Sequence, residues 1–237
     1  MKCDLCPRKC LVDRKKGEKG ICGQTENLKV ARAALHFWEE PCISGDAGSG
    51  AVFFSGCPLH CVFCQNENIA NGTVGKEISL ERLVDIFLEL QEKRANNINL
   101  VTPGHFVPQI VKALDQARKE GLTLPVVYNT SSYETVDTIK MLEGYVDIYL
   151  PDFKYMSPVL SKKYSHAPDY AEVAKAAIAE MVRQTGKAVF VNGDEDNLIL
   201  SGTIVRHLTL PGCMADSMQI LKYLHDTYGD MIYISIM

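Results

Sequence analysis

The chain has 237 residues, 46% of them hydrophobic and 23% charged, and a formal net charge of -4. This is the balance of a folded domain with its own core, and it points away from a disordered tail and from a nucleic-acid or membrane surface as main partner. The start, MKCDLCPRKC, is not a signal peptide and no apolar run is long enough for a bilayer, so the expected location is the cytoplasm.

Residues 1–50 are rich in cysteine, glycine and charge and show little periodicity, which predicts a separate N-terminal metal-binding extension. The whole chain holds nine cysteines, and in a reducing compartment clustered thiols bind metal or do catalysis more often than they form disulfides. Cys3, Cys6, Cys10 and Cys22 open with a C-x2-C knuckle. Four thiols make a closed site, which is structural or transfers electrons, and spacing leaves zinc and an auxiliary iron–sulfur cluster both open. The nearby Arg8, Lys9, Arg14, Lys15 and Lys16 read most simply as a solvated face. The segment HFWEEP holds the only tryptophan, Trp38, and reads as packing between extension and barrel. Cys42 and Cys213 read as small apolar fillers.

From Ala51 the pattern changes. Apolar runs AVFFSG, INLVTP, PVVYNT, VDIYLPDF, TIVRHLTL and MIYISIM alternate with segments whose apolar residues recur three or four apart, such as SLERLVDIFLELQEKRA and DYAEVAKAAIAEMVRQTG. The first kind predicts buried strands and the second amphipathic helices. Ser79 and Asp216 are expected helix starts, and Gly121, Gly144, Gly186 and Gly229 expected stops. AVFVNGDEDNLILSG predicts a small hairpin before the fifth barrel strand. Strand–helix alternation of this kind means parallel strands with helical crossovers, and six units fit better than eight. The predicted fold is therefore α/β: a partial (β/α)6 barrel over residues 51–237, with its site at the C-terminal strand ends. The last residues read as a strand with nothing after it, which predicts a truncated chain or an open barrel.

The first barrel strand runs into FFSGCPLHCVFCQ. Cys57, Cys61 and Cys64 thus fall in one loop on the expected catalytic face. Three thiolates can hold three corners of a cubane iron–sulfur cluster, leaving one iron for a small molecule. A structural zinc with its fourth ligand elsewhere is the plainer alternative. Polar groups also end four successive strands: Thr102 to His105, Asn129 to Ser131, Asp152 with Lys154, and Arg206 with His207.

The C-x3-C-x2-C spacing, with aromatic Phe63 before the last cysteine, resembles the radical S-adenosylmethionine (SAM) superfamily. The resemblance implies a [4Fe–4S] cluster on Cys57, Cys61 and Cys64, with SAM on the fourth iron, and reductive cleavage of SAM to a 5′-deoxyadenosyl radical. From Gly48 onward the chain also resembles the activating enzymes of glycyl radical enzymes. That likeness gives Lys154 a contact to the SAM carboxylate and Asp152 a place beside a monovalent cation. It makes Arg206 a SAM contact and Thr130 a cation or cofactor contact, with Asn129 standing where the group has Asp. On the second strand the group has Gly-Gly-Glu, whereas this chain has Pro103-Gly104-His105. His105 is either an acceptor for the SAM ammonium or a loop histidine. The stretches CPRKC, ARAALHFWEEPCISG and NINLVTP resemble PflX-type radical SAM proteins in particular.

The expected function is hydrogen abstraction by a radical SAM enzyme, with a glycyl radical enzyme as the implied protein substrate and flavodoxin or ferredoxin as the implied electron donor. The alternatives are a radical SAM enzyme acting on a small molecule, and a catalytically incomplete metal-binding or electron-transfer module.

Overall fold

The computed structural model describes residues 2–194 and 197–237. In chain order come β1 (Lys29–His36), α1 (Pro41–Ser44), β2 (Ser49–Phe54), α2 (Glu67–Ala70), β3 (Lys76–Glu77) and α3 (Leu80–Glu92). Next are β4 (Ile98–Val101), α4 (Val107–Lys119), β5 (Val126–Thr130), α5 (Val136–Lys140), β6 (Ile148–Pro151) and α6 (Pro158–Ser165). The chain continues through α7 (Tyr170–Thr185), β7 (Val189–Phe190), β8 (Ile199–His207), α8 (Met214–Tyr228) and β9 (Tyr233–Ile236).

β2, β4, β5, β6, β8 and β9 pair in that order, every pair parallel. These are the six apolar runs of the sequence, so the partial six-stranded barrel stands. All but the last, β9, are legible because both faces are largely buried. Val52, Leu100, Tyr128 and Tyr149 face out and pack under Leu83, Phe87, Ile110 and Leu114 of α3 and α4. Val127, Ile148, Leu150 and Ile204 face in, where Ile43 of α1 and Phe190 of β7 plug the bottom of the barrel. A strand with helices outside and a plug inside carries no polar alternation along most of its length.

Sequence periodicity starts the sheet at Ala51, but the structure starts it at Lys29. β1 lies antiparallel on β2, with Val30 opposite Phe54 and His36 opposite Ser49, and β3 adds to its outer edge. The extension is thus continuous with the barrel sheet, and only the residues before about Leu28 stand apart from it. β7 and β8 form the expected hairpin, Val189 opposite Ser201; Glu195 and Asp196 of its turn lie outside the described residues.

Ser79 caps α3 as expected, its hydroxyl accepting from the Arg82 N–H at 3.2 Å. The other expected start moves. α8 begins at Met214, and Asp216 in its first turn instead accepts from the Met156 and Ser157 N–H groups at 3.0 and 2.7 Å. That carboxylate ties the loop after β6 to α8. Gly186 and Gly229 end α7 and α8 in left-handed backbone. No helix among the described residues is long and apolar enough to cross a membrane.

Candidate functional site: three thiols facing a buried charge cluster

β2 delivers the cysteine loop to the C-terminal end of the sheet. Gly56 follows it at φ 89°, a left-handed conformation that favours glycine, and a Cβ there would also overlap the Cys22 carbonyl oxygen. Leu59, fully buried, pins the middle of the loop. Cys57, Cys61, Phe63 and Cys64 then line one cavity of about 500 Å³. Phe63 meets Tyr155 and Tyr164 edge-on, each at 6.3 Å between ring centroids, which fixes the wall between the last two cysteines. The Leu59 N–H points at Cys57 Sγ at 3.4 Å, and the Ser165 hydroxyl donates to Cys61 Sγ at 3.1 Å. Burial pushes the Cys57 thiol up to about 12, and the neighbouring Cys61 and Cys64 add repulsion. Such thiols ionise when a metal's charge takes the place of the proton.

The opposite wall is charged. Period-two alternation turns Arg206 of β8 into the cavity and sends His207 outward, where its ring bonds to the Phe153 carbonyl and the Ser217 hydroxyl. Lys154 Nζ lies 2.6 Å from Asp152 Oδ2, and Arg206 Nε lies 3.0 Å from Asp152 Oδ1. Arg206 also donates to Asn129 Oδ1 at 2.7 Å. Burial opposes the charge on Asp152, but Lys154 and Arg206 outweigh it and hold the carboxyl below its ordinary range. Burial likewise opposes the charge on Lys154, and Asp152 more than restores it.

A second carboxylate reaches the cluster from an element that the periodicity did not reveal. Glu39, just after β1, accepts from Asn129 Nδ2 at 3.1 Å and Arg206 Nη1 at 3.4 Å. Its side chain is only 9% exposed, and desolvation raises its carboxyl above the ordinary value although Arg206 pulls the other way. Arg32, His36 and Trp38 join it at the rim. Trp38 is not packing between extension and barrel: it is 88% exposed. The readable signal was the acidic pair in HFWEEP at the end of an alternating run.

The remaining expected residues divide clearly. Thr102, Asn129, Thr130, Ser131, Asp152, Lys154 and Arg206 all line the cavity. His105 does not. A short 3-10 turn, Gly104–Phe106, carries it into the interior, where Nε2 meets the Ser55 carbonyl at 2.7 Å. Burial lowers its pKa to about 4, so it is neutral there. Gly104 beside it packs against Glu134, a fully buried acid that desolvation raises to about 7 and that accepts from Thr130 Oγ1 at 2.8 Å. Gly104→Ala would drive a methyl group into that carboxyl, and a loss of about 1–3 kcal/mol in unfolding free energy is expected from denaturant titration. Cys3, Cys6, Cys10 and Cys22 lie outside the cavity, with Cys6 and Cys22 buried; Cys42 packs at the edge of the barrel plug, and Cys213 precedes α8.

Residues 51–197, well over half of the chain and including the cysteine loop, match the family model of the radical SAM superfamily. The chain belongs to the radical SAM superfamily. It is 28% identical over 215 residues to an uncharacterized protein of Methanocaldococcus jannaschii, covering 88% of this chain and 57% of that relative. The chain thus spans less than two thirds of the relative's length. Among solved structures it is similar in fold to methylornithine synthase, with TM-score 0.53, 15% identity and coverage of 76% of this chain and 50% of the other. It is also similar to HydG, a maturase of the [FeFe]-hydrogenase, with TM-score 0.52, 14% identity and coverage of 76% and 40%.

A radical SAM protein implies a [4Fe–4S] cluster and SAM, and the residues present fit both. Three thiols on one loop supply the donor set, and a cavity of about 500 Å³ is in the range of small-molecule sites. Cys57, Cys61 and Cys64 would hold the iron. Lys154 and Arg206 would meet a carboxylate, and Glu39 and Asp152 would meet cationic groups. These four side chains sum to zero charge, whereas SAM carries one net positive charge. Glu39→Gln leaves the site net positive, and SAM affinity, read by equilibrium dialysis on the cluster-loaded protein, is expected to fall about 10-fold, or about 1.4 kcal/mol.

Proposed function

We propose that the chain is a radical SAM enzyme that abstracts a hydrogen atom from a substrate at the open mouth of the barrel. The finer reading is a PflX-type homologue of the glycyl-radical-enzyme activating enzymes, with a glycine Cα of a partner protein as the hydrogen donor and flavodoxin or ferredoxin as the electron source. The observation that carries the proposal is the facing of three thiols and a neutral Asp152–Lys154–Arg206–Glu39 cluster across one cavity. When bound, the cluster and SAM supply one electron, methionine as leaving group and a 5′-deoxyadenosyl radical that takes the hydrogen atom.

The chain's own part is orientation. Asp152 holds Lys154 and Arg206 in fixed directions, so a carboxylate entering the cavity meets donors that need no rearrangement. Asn129 bridges Arg206 and Glu39, which sets the spacing between the cationic and anionic ends of the pocket. Phe63, Leu208 and Phe53 supply apolar wall between the polar groups and limit water at the reacting centre. The sequence likeness to activating enzymes, and exposed Trp38 on the rim, favour a protein segment over a small molecule.

The test is anaerobic. The protein is reconstituted with iron and sulfide, then given dithionite and SAM, and 5′-deoxyadenosine is read by mass. Product supports the proposal. An intact cluster that binds no SAM and yields no product would replace it with the metal-binding or electron-transfer module. Deuterium transfer into 5′-deoxyadenosine from a glycine-deuterated protein, against a deuterated small-molecule pool, separates the two substrate classes.

A further inference from the structure

Residues 2–27 hold together without an apolar core. Their buried residues are Cys6, Arg14, Cys22 and Gln24, while Leu11 and Ile21 are about half exposed at 53% and 50%. The only regular element there is a three-residue 3-10 turn, Arg14–Lys16. All nine cysteines are free thiols, so no disulfide staples the segment. A stretch this small normally needs a staple or a metal to take one shape.

Its thiols repeat the local geometry of the cluster loop. In that loop the Leu59 N–H points back at Cys57 Sγ, and the Cys64 N–H closes a turn on the Cys61 carbonyl at 3.0 Å. In the N-terminal segment the Lys9 N–H closes the same turn on the Cys6 carbonyl at 3.0 Å, and Cys3 pairs with Leu11 and Val12, which folds Cys3, Cys6 and Cys10 into one knuckle. The Ile21 N–H points at Cys10 Sγ at 3.3 Å. The Gly23 N–H bonds the Gly20 carbonyl at 3.0 Å, and this turn carries Cys22 alongside Cys10. Lys9 and Leu11, on either side of Cys10, adopt left-handed backbone at φ 42° and 54°, a strained state for such residues unless something fixes it. Gly20 leaves room for Cys10, whose Sγ would stand 2.8 Å from a Cβ. No three of these sulfurs stand at single-ion spacing among the described residues, and the same holds for Cys57, Cys61 and Cys64.

The segment also grips the cluster loop directly. Arg8, between Cys6 and Cys10, donates to the Pro58 carbonyl at 2.9 Å and to the Ser165 and His166 carbonyls at 2.9 and 2.6 Å. Its guanidinium lies over the Tyr133 ring at 5.1 Å. His60 Nε2 meets the Ile21 carbonyl at 2.8 Å, and Gly56 abuts the Cys22 carbonyl. Arg14 bonds the His105 and Thr25 carbonyls. Arg8 and Arg14 are therefore docked side chains and not a solvated face.

We propose that Cys3, Cys6, Cys10 and Cys22 form a second, thiolate-ligated metal centre whose knuckle braces the Cys57–Cys64 loop through Arg8 and His60. The ligand class is a thiophilic metal, and the spacing, like that of Cys57, Cys61 and Cys64, favours an iron–sulfur cluster over a single zinc ion. The site stands whether or not the barrel cleaves SAM, because its residues lie outside the cavity.

The test uses the full chain with Cys57, Cys61 and Cys64 all replaced by alanine. It is incubated with zinc alone, or anaerobically with iron and sulfide, then desalted and its metal counted. About one zinc, or about four iron with four sulfide, per chain is expected. Adding Cys6→Ser and Cys22→Ser should remove it. Retained zinc or retained iron each supports the centre and names the metal, whereas no metal above background after either treatment overturns it. The brace is read separately with Arg8→Ala in the otherwise unaltered chain, which keeps all four thiols. N-terminal metal content should be unchanged while the Cys57 cluster bleaches in chelator at least about 10-fold faster. An unchanged bleaching rate would overturn the brace and leave the metal count to decide the centre alone.

Discussion

Cys57→Ala is expected to abolish 5′-deoxyadenosine formation and to lower the iron bound by the chain. Two thiols remain in the loop, and a cubane cannot be held at two corners against exchange with chelator and solvent. The loss should exceed that from any polar residue of the opposite wall, because those residues orient a ligand and do not create the site. Leu59 anchors the loop in the core and its N–H is aimed at Cys57, so the loop itself should keep its path. Circular dichroism and the melting temperature should therefore stay close to those of the parent chain prepared without iron. Persistent product in the variant would remove the cysteine loop from the chemistry and sink the proposed function.

Asp152→Ala carries the second large effect. It leaves Lys154 and Arg206, with side chains 16% and 15% exposed, facing each other with only Glu39 to offset them. Removing one partner of a buried ion pair costs about 3–5 kcal/mol, and the remaining water access places this site near the lower end. At about 2–4 °C per kcal/mol in a domain of this size, the melting temperature should drop by roughly 6–12 °C. SAM binding should be lost together with that drop, because both donors lose their orientation. Asp152→Asn keeps the shape and one acceptor oxygen, which serves Lys154 or Arg206 but not both, so its effect should be smaller than that of the alanine variant but not absent. A melting temperature unmoved by the alanine variant would mean that the cluster is solvated and does not pre-orient a ligand.

Much of this was legible in the residues, for physical reasons that differ by element. β2, β4, β5, β6 and most of β8 announce themselves because burial on both faces forbids polar alternation, and β9 does so by its apolar, β-branched composition alone. The cysteine loop is legible because spacing and strand context coincide. β1 was not legible. It lies near the edge of the sheet with only Val30 buried and its other residues at least partly exposed, so Arg32, Ala33 and Ala34 give no apolar run. With β1 unseen, Glu39 had no route to the barrel mouth. His105 shows the opposite error: a polar residue after a strand reads as a site residue, but a single 3-10 turn sends it inward. Arg8 and Arg14 could not be placed at all from sequence, since they bind backbone carbonyls, and every residue has one.

Those carbonyls also set a timetable. Arg8 leaves the ribosome 158 residues ahead of His166, whose carbonyl it must find. At cellular rates of translation that gap is roughly 10–30 s, long compared with the closing of any local turn. The cysteine loop emerges early in that interval and waits for the end of α6 before Arg8 can complete its contacts. The loop with the reactive thiols is thus among the first parts of the barrel to be made and among the last to be locked, which puts its final closure after more than two thirds of the chain has been synthesised.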